Sequence, residues 1–204
     1  MGTAERRQRE ALRRRQMILD VARRVFREKG YAGATVPLIA KEAELAPGTI
    51  YLYFPGKDAL YAELLTEGYE ILQQRLEEAA ASGDAEQAAA RLIDVFFDFA
   101  REYPEYFEMI FFILQKEGDV GWQGFPEEQV ARLAAWEAAC RAVVAGVLAQ
   151  IQSRSPERCE RTVQALWTML AGVVFYMRGR PEFMSVAREA KALLLTAVLG
   201  SQGK

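Results

Sequence analysis

Residues 17–60 read MILDVARRVFREKGYAGATVPLIAKEAELAPGTIYLYFPGKDAL, and the spacing of their apolar side chains decides the fold class. Ile18, Ala22, Val25 and Phe26 recur at helical intervals from about Arg7 to Lys29, and Gly30 is placed to end that helix as an αL cap. Thr35 suits the N-cap of a short second helix, with Pro37 tolerated in its first turn. Val36, Ile39, Ala40 and Ala43 fall at i, i+3, i+4 and i+7, which makes one buried face. The ELAP segment imposes a turn, and Pro47 opens a third short helix that ends near Phe54. Two short helices joined by a tight turn behind a longer one describe a helix-turn-helix.

The third helix carries the chemistry. Ile50 and Phe54 are four apart and point inward, which puts Leu52 outward at about 100° per residue. Gly48 and Thr49 fall beside Leu52, and Tyr51 and Tyr53 stand on either shoulder. Phenol hydroxyls suit phosphate oxygens, and Gly48 leaves room for close backbone approach. Thr49 and Leu52 are suited to base edges, Leu52 through a thymine methyl. The N-termini of the second and third helices, at Thr35 and Pro47, offer N–H groups to phosphates, and Lys57 adds a charge on that side. The competing reading makes Tyr51 and Tyr53 core residues.

The charge balance of the whole chain argues the other way until it is divided. Across 204 residues, 26 Lys and Arg meet 28 Asp and Glu, a net charge of -2. Residues 1–60 hold 12 basic and 7 acidic side chains, hence +5, and residues 61–204 hold 14 and 21, hence -7. Arg6, Arg7, Arg9, Arg13, Arg14 and Arg15 form a basic arm suited to phosphates, the last three nearest the helix-turn-helix; a solvated terminus is the plainer alternative. The chain has no histidine, and Cys140 and Cys159 are too far apart in sequence for a zinc or CxxC motif. Adjacent carboxylates such as Glu77-Glu78 and Glu127-Glu128 diverge on a helix. No catalytic residue, metal or cofactor is expected, and the chain does not read as an enzyme.

These 44 residues resemble the DNA-binding domain of TetR-family transcriptional regulators. The matching marks are Ile18, Ala22, Phe26, Gly30, Tyr31, Thr35, Ile39, Ala40, Ala43, Gly48, Thr49, Tyr51, Tyr53, Phe54, Lys57 and Leu60. Ala46 departs from the pattern, which has Ser or Thr as the cap of the recognition helix. The resemblance implies a phosphate-contacting cap at Thr35, recognition-helix contacts at Gly48, Thr49, Tyr51 and Tyr53, and a phosphate-binding lysine at Lys57. It makes Leu52 a position that tunes operator choice. It also implies an all-α chain with a DNA-binding domain over 1–56 and a ligand-binding and dimerisation domain over 57–204.

The remainder reads as helices over about 57–81, 84–102, 104–117, 126–152, 156–179 and 182–199, with Gly118, Gly121 and Gly124 in one loop. The last two helices suit a homodimer built as a four-helix bundle, as the family forms. Leu166, Leu170, Val173 and Met177 supply one stripe, and Val186, Ala190, Leu193, Leu194 and Ala197 the other. Aromatic residues crowd into 96–125, with Phe112 and Trp122 among them. Phe96, Phe99, Tyr103, Phe107, Phe111, Trp136 and Trp167 are candidates for the lining of an effector cavity, with a well-packed core as the plainer account. The sparse polar groups suggest an apolar, elongated effector, such as a fatty acid or long-chain acyl-CoA. Arg75, Arg101, Arg132 and Arg141 are candidates for its anionic end.

The function expected is a homodimeric repressor on double-stranded DNA, released from a palindromic operator by this apolar small molecule. The alternative is a helical lipid-carrier or interaction protein without a DNA function. The charged N-terminus lacks the apolar core of a signal peptide, and no apolar run approaches about 18 residues, so no membrane span is expected. A cytoplasmic protein without membrane partners is therefore expected.

Overall fold

A computed structural model describes residues 3–81, 83–113, 125, 127–151 and 156–200. Among these residues nine α-helices and no strand are found: α1 (Thr3–Gly33), α2 (Val36–Glu42), α3 (Pro47–Tyr51), α4 (Lys57–Ala80), α5 (Ala85–Glu102), α6 (Pro104–Glu108), α7 (Glu127–Ile151), α8 (Pro156–Met177) and α9 (Phe183–Leu199). α6 passes directly into a π-helical segment, Met109–Ile113. The Gly118–Gly124 loop, Trp122, the side chain of Phe112 and the C-terminal end of the expected 104–117 helix lie outside the described residues.

One detail near the end of α1 differs from the sequence reading. Gly30 has φ 69 and ψ 177, so its φ is positive but its backbone is extended, a region essentially reserved for glycine. It is a kink rather than an αL cap, and one further helical turn follows it. The cause is Tyr31, whose buried ring stacks on Phe26 and meets Tyr61 edge-on at 5.1 Å. α2 ends in a Schellman motif, with Glu44 N–H donating to the Lys41 carbonyl at 3.1 Å and Leu45 N–H to the Ala40 carbonyl at 2.8 Å. Glu44 takes φ 55 at the position where glycine is usual. Thr35 caps α2 as expected, its hydroxyl oxygen accepting from Leu38 N–H at 3.3 Å. Ala46 precedes α3 with no side-chain cap bond.

The chain divides into two compact units, 1–68 with 105–133 and 69–104 with 134–204. This division does not follow the expected boundary at 56/57. The physical reason is α4, whose first turns complete the helix-turn-helix core with Leu60, Tyr61, Leu64 and Leu65, each at most 1% exposed. Residues 105–113 join the same unit through polar and close contacts. The Tyr106 hydroxyl donates to Glu67 Oε2 at 2.6 Å, and Arg23 Nη2 donates to that same oxygen at 3.2 Å. Burial, and after it this bond to Glu67, raises the Tyr106 hydroxyl's pKa. The Tyr61 hydroxyl donates to the Met109 carbonyl at 3.0 Å. Gly68 brings α4 so near this segment that a Cβ there would sit 3.1 Å from Tyr106 and Ile110.

In the second unit, α5, α8 and α9 pack on one another. Leu148, Val163 and Val198 form one buried cluster. Asp84 caps α5 by accepting from Gln87 N–H at 2.8 Å. By length and composition α7 is apolar enough to cross a membrane, although Arg132, Glu137 and Arg141 interrupt it. Its Cys140, Val147 and Leu148 are buried, and Arg141 on the same helix pairs with Glu160 of α8 at 3.6 Å.

Candidate nucleic-acid interface and effector cavity

The recognition helix is fixed from beneath. Ile50 is fully buried and Phe54 is 3% exposed, as the four-residue spacing predicts. Leu52 is 82% exposed and Tyr51 54%, so a large aliphatic and a phenol stand in solvent on a helix that has apolar alternatives inside. Leu52 itself is the αR C-cap of α3. Pro47 and Gly48 are exposed at the helix start, and Thr49 and Tyr53 are half-buried. A Cβ built on Gly48 meets nothing within 4 Å, so no neighbour inside the protein requires glycine there.

Two of the basic candidates are held differently from the sequence reading. Arg15 does not reach out: it pairs with Glu63 of α4 at 2.7 Å and lies 5.0 Å over the Phe54 ring. Its position on α1 explains this, because Ile18, Leu19, Ala22 and Phe26 place the buried face on the same side as residue 15. Lys57 is half-buried, donating to the Tyr31 carbonyl at 3.0 Å and sitting 4.3 Å over the Tyr31 ring. The Tyr31 hydroxyl bonds to Asp58, so one tyrosine ties down the whole start of α4. Arg13 and Arg14 are exposed. They lie on a helix that begins at Thr3, ahead of the expected start near Arg7, and not on an extended arm.

The second unit holds an apolar cavity of about 40 Å³. Of the seven aromatic candidates, the structure brings Phe96 and Trp167 to its wall, with ring centroids 5.6 Å apart and nearly perpendicular. The others are elsewhere. Phe99 is fully buried against Tyr103 at 5.6 Å, and Trp136 is half-buried on α7 away from the lining. Phe107 and Phe111 pair with each other at 4.5 Å in the first unit. The rest of the wall is largely aliphatic, with Leu92 and Ile93 of α5, Leu148 of α7 and Leu195 of α9. Sequence reasoning weighted rings and missed these, although Ala89, Leu92, Ile93 and Phe96 carry the i, i+3, i+4, i+7 signal of one face.

None of the four candidate arginines lines this cavity. Arg75 pairs with Glu102 at 2.7 Å, and the hydrogen bond to that carboxylate raises its pKa further. Arg101 pairs with Asp98 and Glu102, and Arg141 with Glu137 and Glu160. Arg132 is exposed and belongs to the first unit.

The dimer stripe on α8 also needs correction. Leu166 and Leu170 turn inward onto the cavity wall. The open apolar stripe is Ala165, Met169, Gly172 and Tyr176, at i, i+4, i+7 and i+11, with Met169 57% and Tyr176 70% exposed and Gly172 half-buried but with nothing within 4 Å of an added Cβ. Val173 and Met177 sit half-buried between the two faces, as do Val186, Ala190 and Leu194 on α9. Leu193 is 64% exposed and Ala197 is exposed. α8 is apolar on both sides, so periodicity alone does not say which side is open. Among the described residues no three His, Cys, Asp or Glu side chains gather to hold a metal.

A buried two-helix turn carrying an outward apolar and phenolic ridge defines a helix-turn-helix module of the DNA-reading kind. Residues 18–64 match the profile of the bacterial regulatory proteins of the tetR family. Among relatives, it is 30% identical over 95 residues to the uncharacterized HTH-type transcriptional regulator YuxN of Bacillus subtilis, covering 46% of this chain and 33% of that one. It is 43% identical over 61 residues to the fatty acid metabolism regulator protein of the same organism, covering 30% of this chain and 31% of that one. The chain thus spans about a third of the length of these curated relatives. In fold it is similar to the transcriptional regulator FadR from Bacillus subtilis, solved in complex with stearoyl-CoA. That likeness has a TM-score of 0.70 at 19% identity and covers 89% of this chain and 97% of that one.

Proposed function

We propose that this protein is a DNA-binding transcriptional regulator that works as a homodimeric repressor and leaves its palindromic operator when an apolar effector binds. The observation that carries the DNA-binding reading is the recognition helix. Ile50 and Phe54 hold it from inside while Leu52 and Tyr51 stand exposed. A single module of this size reads few base pairs, and pairing through two-fold symmetry doubles the site. The uncovered stripe on α8, with Leu193 and Ala197 on α9, is the surface we assign to the partner copy.

The effector we propose is a long-chain acyl compound, a fatty acid or its coenzyme A ester. Its support is the apolar wall of the cavity, together with the similarity to a fatty acid metabolism regulator protein and to a regulator solved with stearoyl-CoA. The cavity of about 40 Å³ is far below the roughly 300–1,000 Å³ of a ligand site. The effector must therefore select a conformer in which the lining helices stand apart. α4 supplies Leu76 to this wall and Leu60 and Tyr61 to the helix-turn-helix core, so it is the element that carries the change. A ligand of equal affinity for both conformers shifts nothing. Reciprocity requires DNA to weaken effector binding by the same factor, typically about 5- to 150-fold.

Selection of duplexes from a random pool, followed by titration of stearoyl-CoA and of coenzyme A alone, tests both parts. We expect one palindromic sequence to emerge and stearoyl-CoA to release it, with coenzyme A inert. A pool that stays unselected rejects the regulator. Release by neither compound rejects the acyl effector and leaves the DNA reading standing.

A further inference from the structure

Residues 4–14 are exposed at every position, yet they are helical and continuous with the core helix that begins at Ile18. An isolated helix of this length is marginal in water, but here the core has already nucleated it. Residues 3–17 carry six arginines against Glu5 and Glu10, a net charge of +4. The helical period turns this composition into a surface. Arg6, Arg9 and Arg13 fall at i, i+3 and i+7 on one face, and Arg7 and Arg14 fall on the adjoining one, with Glu10 between. Arg15, in contrast, lies on the buried side, where its pairing with Glu63 and its stacking on Phe54 fix where the basic helix leaves the core. That exit is beside the end of the recognition helix, since Phe54 follows α3 by only three residues. The family match begins at residue 18 and does not include this segment.

We infer that the helix over residues 3–14 is a second DNA-contacting surface. It lies along the phosphates that flank the bases read by α3, with Arg6, Arg9 and Arg13 as phosphate partners and Arg15 as the positioning residue. This rests on the regulator reading above and extends it. The occupant is a duplex backbone because the face is cationic, is anchored at the recognition helix, and presents five guanidinium groups over about 12 Å of helix rise. Phosphate contacts of this kind add affinity without adding base preference.

The test uses the full chain and the duplex that the wild-type protein selects from a random pool. Arg6→Gln/Arg9→Gln/Arg13→Gln is compared with wild type and with Leu52→Ala between about 50 and 200 mM salt. We expect the triple variant to bind at least about tenfold more weakly and to flatten the slope of log K on log salt by about one to three per protomer, selecting the same sequence. Ala11→Pro, which keeps every charge but breaks the helix, is expected to lose part of the same slope. A triple variant with unchanged slope and affinity overturns the inference, even where Leu52→Ala behaves as a recognition residue should. An Ala11→Pro protein that binds like wild type overturns the helical geometry. Wild-type protein that selects no duplex overturns the inference together with the regulator reading. Loss of binding to phosphatidylserine vesicles in the triple variant, with DNA binding untouched, assigns the face to membranes and also overturns it.

Discussion

The two compact units use their side chains differently. In the first, individual positions carry individual geometric duties: Gly30 kinks, Thr35 caps, Glu44 occupies the left-handed turn, and Tyr31 ties Lys57 and Asp58 to the core. In the second, most positions ask only for apolar volume on the correct side of a helix, as the aliphatic cavity wall illustrates. Specific geometry leaves a readable signature, while volume is met by many residues. The family profile accordingly ends at residue 64, whereas the likeness in fold to the stearoyl-CoA-bound regulator covers 89% of the chain at 19% identity.

The largest effect separates the two units by their cores. Phe26→Ala removes a fully buried ring from the first unit and is expected to cost about 3–5 kcal/mol of stability, measured by denaturant unfolding. Leu170→Ala in the second unit is expected to cost about 2–5 kcal/mol and to enlarge the cavity. If it binds apolar dyes no better than wild type, the lining has collapsed and the cavity is not a site. Leu52→Ala, on the exposed ridge, is expected to leave unfolding unchanged and to weaken operator binding by about 1–3 kcal/mol. A loss of stability with unchanged binding would make Leu52 a core residue of the first unit and blur the contrast.

Smaller effects probe the special backbone. Glu44→Gly is expected to gain about 1 kcal/mol, since it relieves a left-handed residue, and Ala46→Ser a comparable amount by restoring the missing cap. Thermal unfolding checks both. The second unit offers a pH counterpart. Burial, then the charges of Glu77 and Glu137, pushes the Cys140 thiol from 9.0 up to about 12. The folded protein keeps this proton after the unfolded chain has lost it. The contribution is therefore complete below pH 9.0 and disappears as pH rises toward about 12. Alkylation near pH 9 should label Cys140 in denaturant and spare it in the native protein.

Much of the first unit was legible. The inward pair Ile50 and Phe54, the outward Leu52 and the cap at Thr35 all follow from helical period and cap chemistry, which act within a few residues. Arg15 and Lys57 were not legible in the same way. Their charges predicted outward reach, but Glu63 and Phe54 hold one and Tyr31 holds the other, and these partners come from other elements. Among the aromatic residues, Phe107 and Phe111 looked equivalent to Phe96 by composition. The Tyr61–Met109 and Glu67–Tyr106 bonds draw the segment carrying Phe107 and Phe111 into the first unit, and neither ring is part of the cavity wall that Phe96 lines.

By itself the sequence determined the helical class, the helix-turn-helix and the division of charge into a basic start and an acidic remainder, because propensity, capping and charge are local properties. The tertiary structure alone decided which side of α8 is open and which helices enclose the cavity. It likewise decided that the arginine-rich start continues a core helix, with one of its six arginines turned in to hold it. Those outcomes depend on which surfaces meet across long stretches of chain. A helix with apolar residues on two sides, or an arginine one turn from a buried face, carries no local mark of its eventual partner.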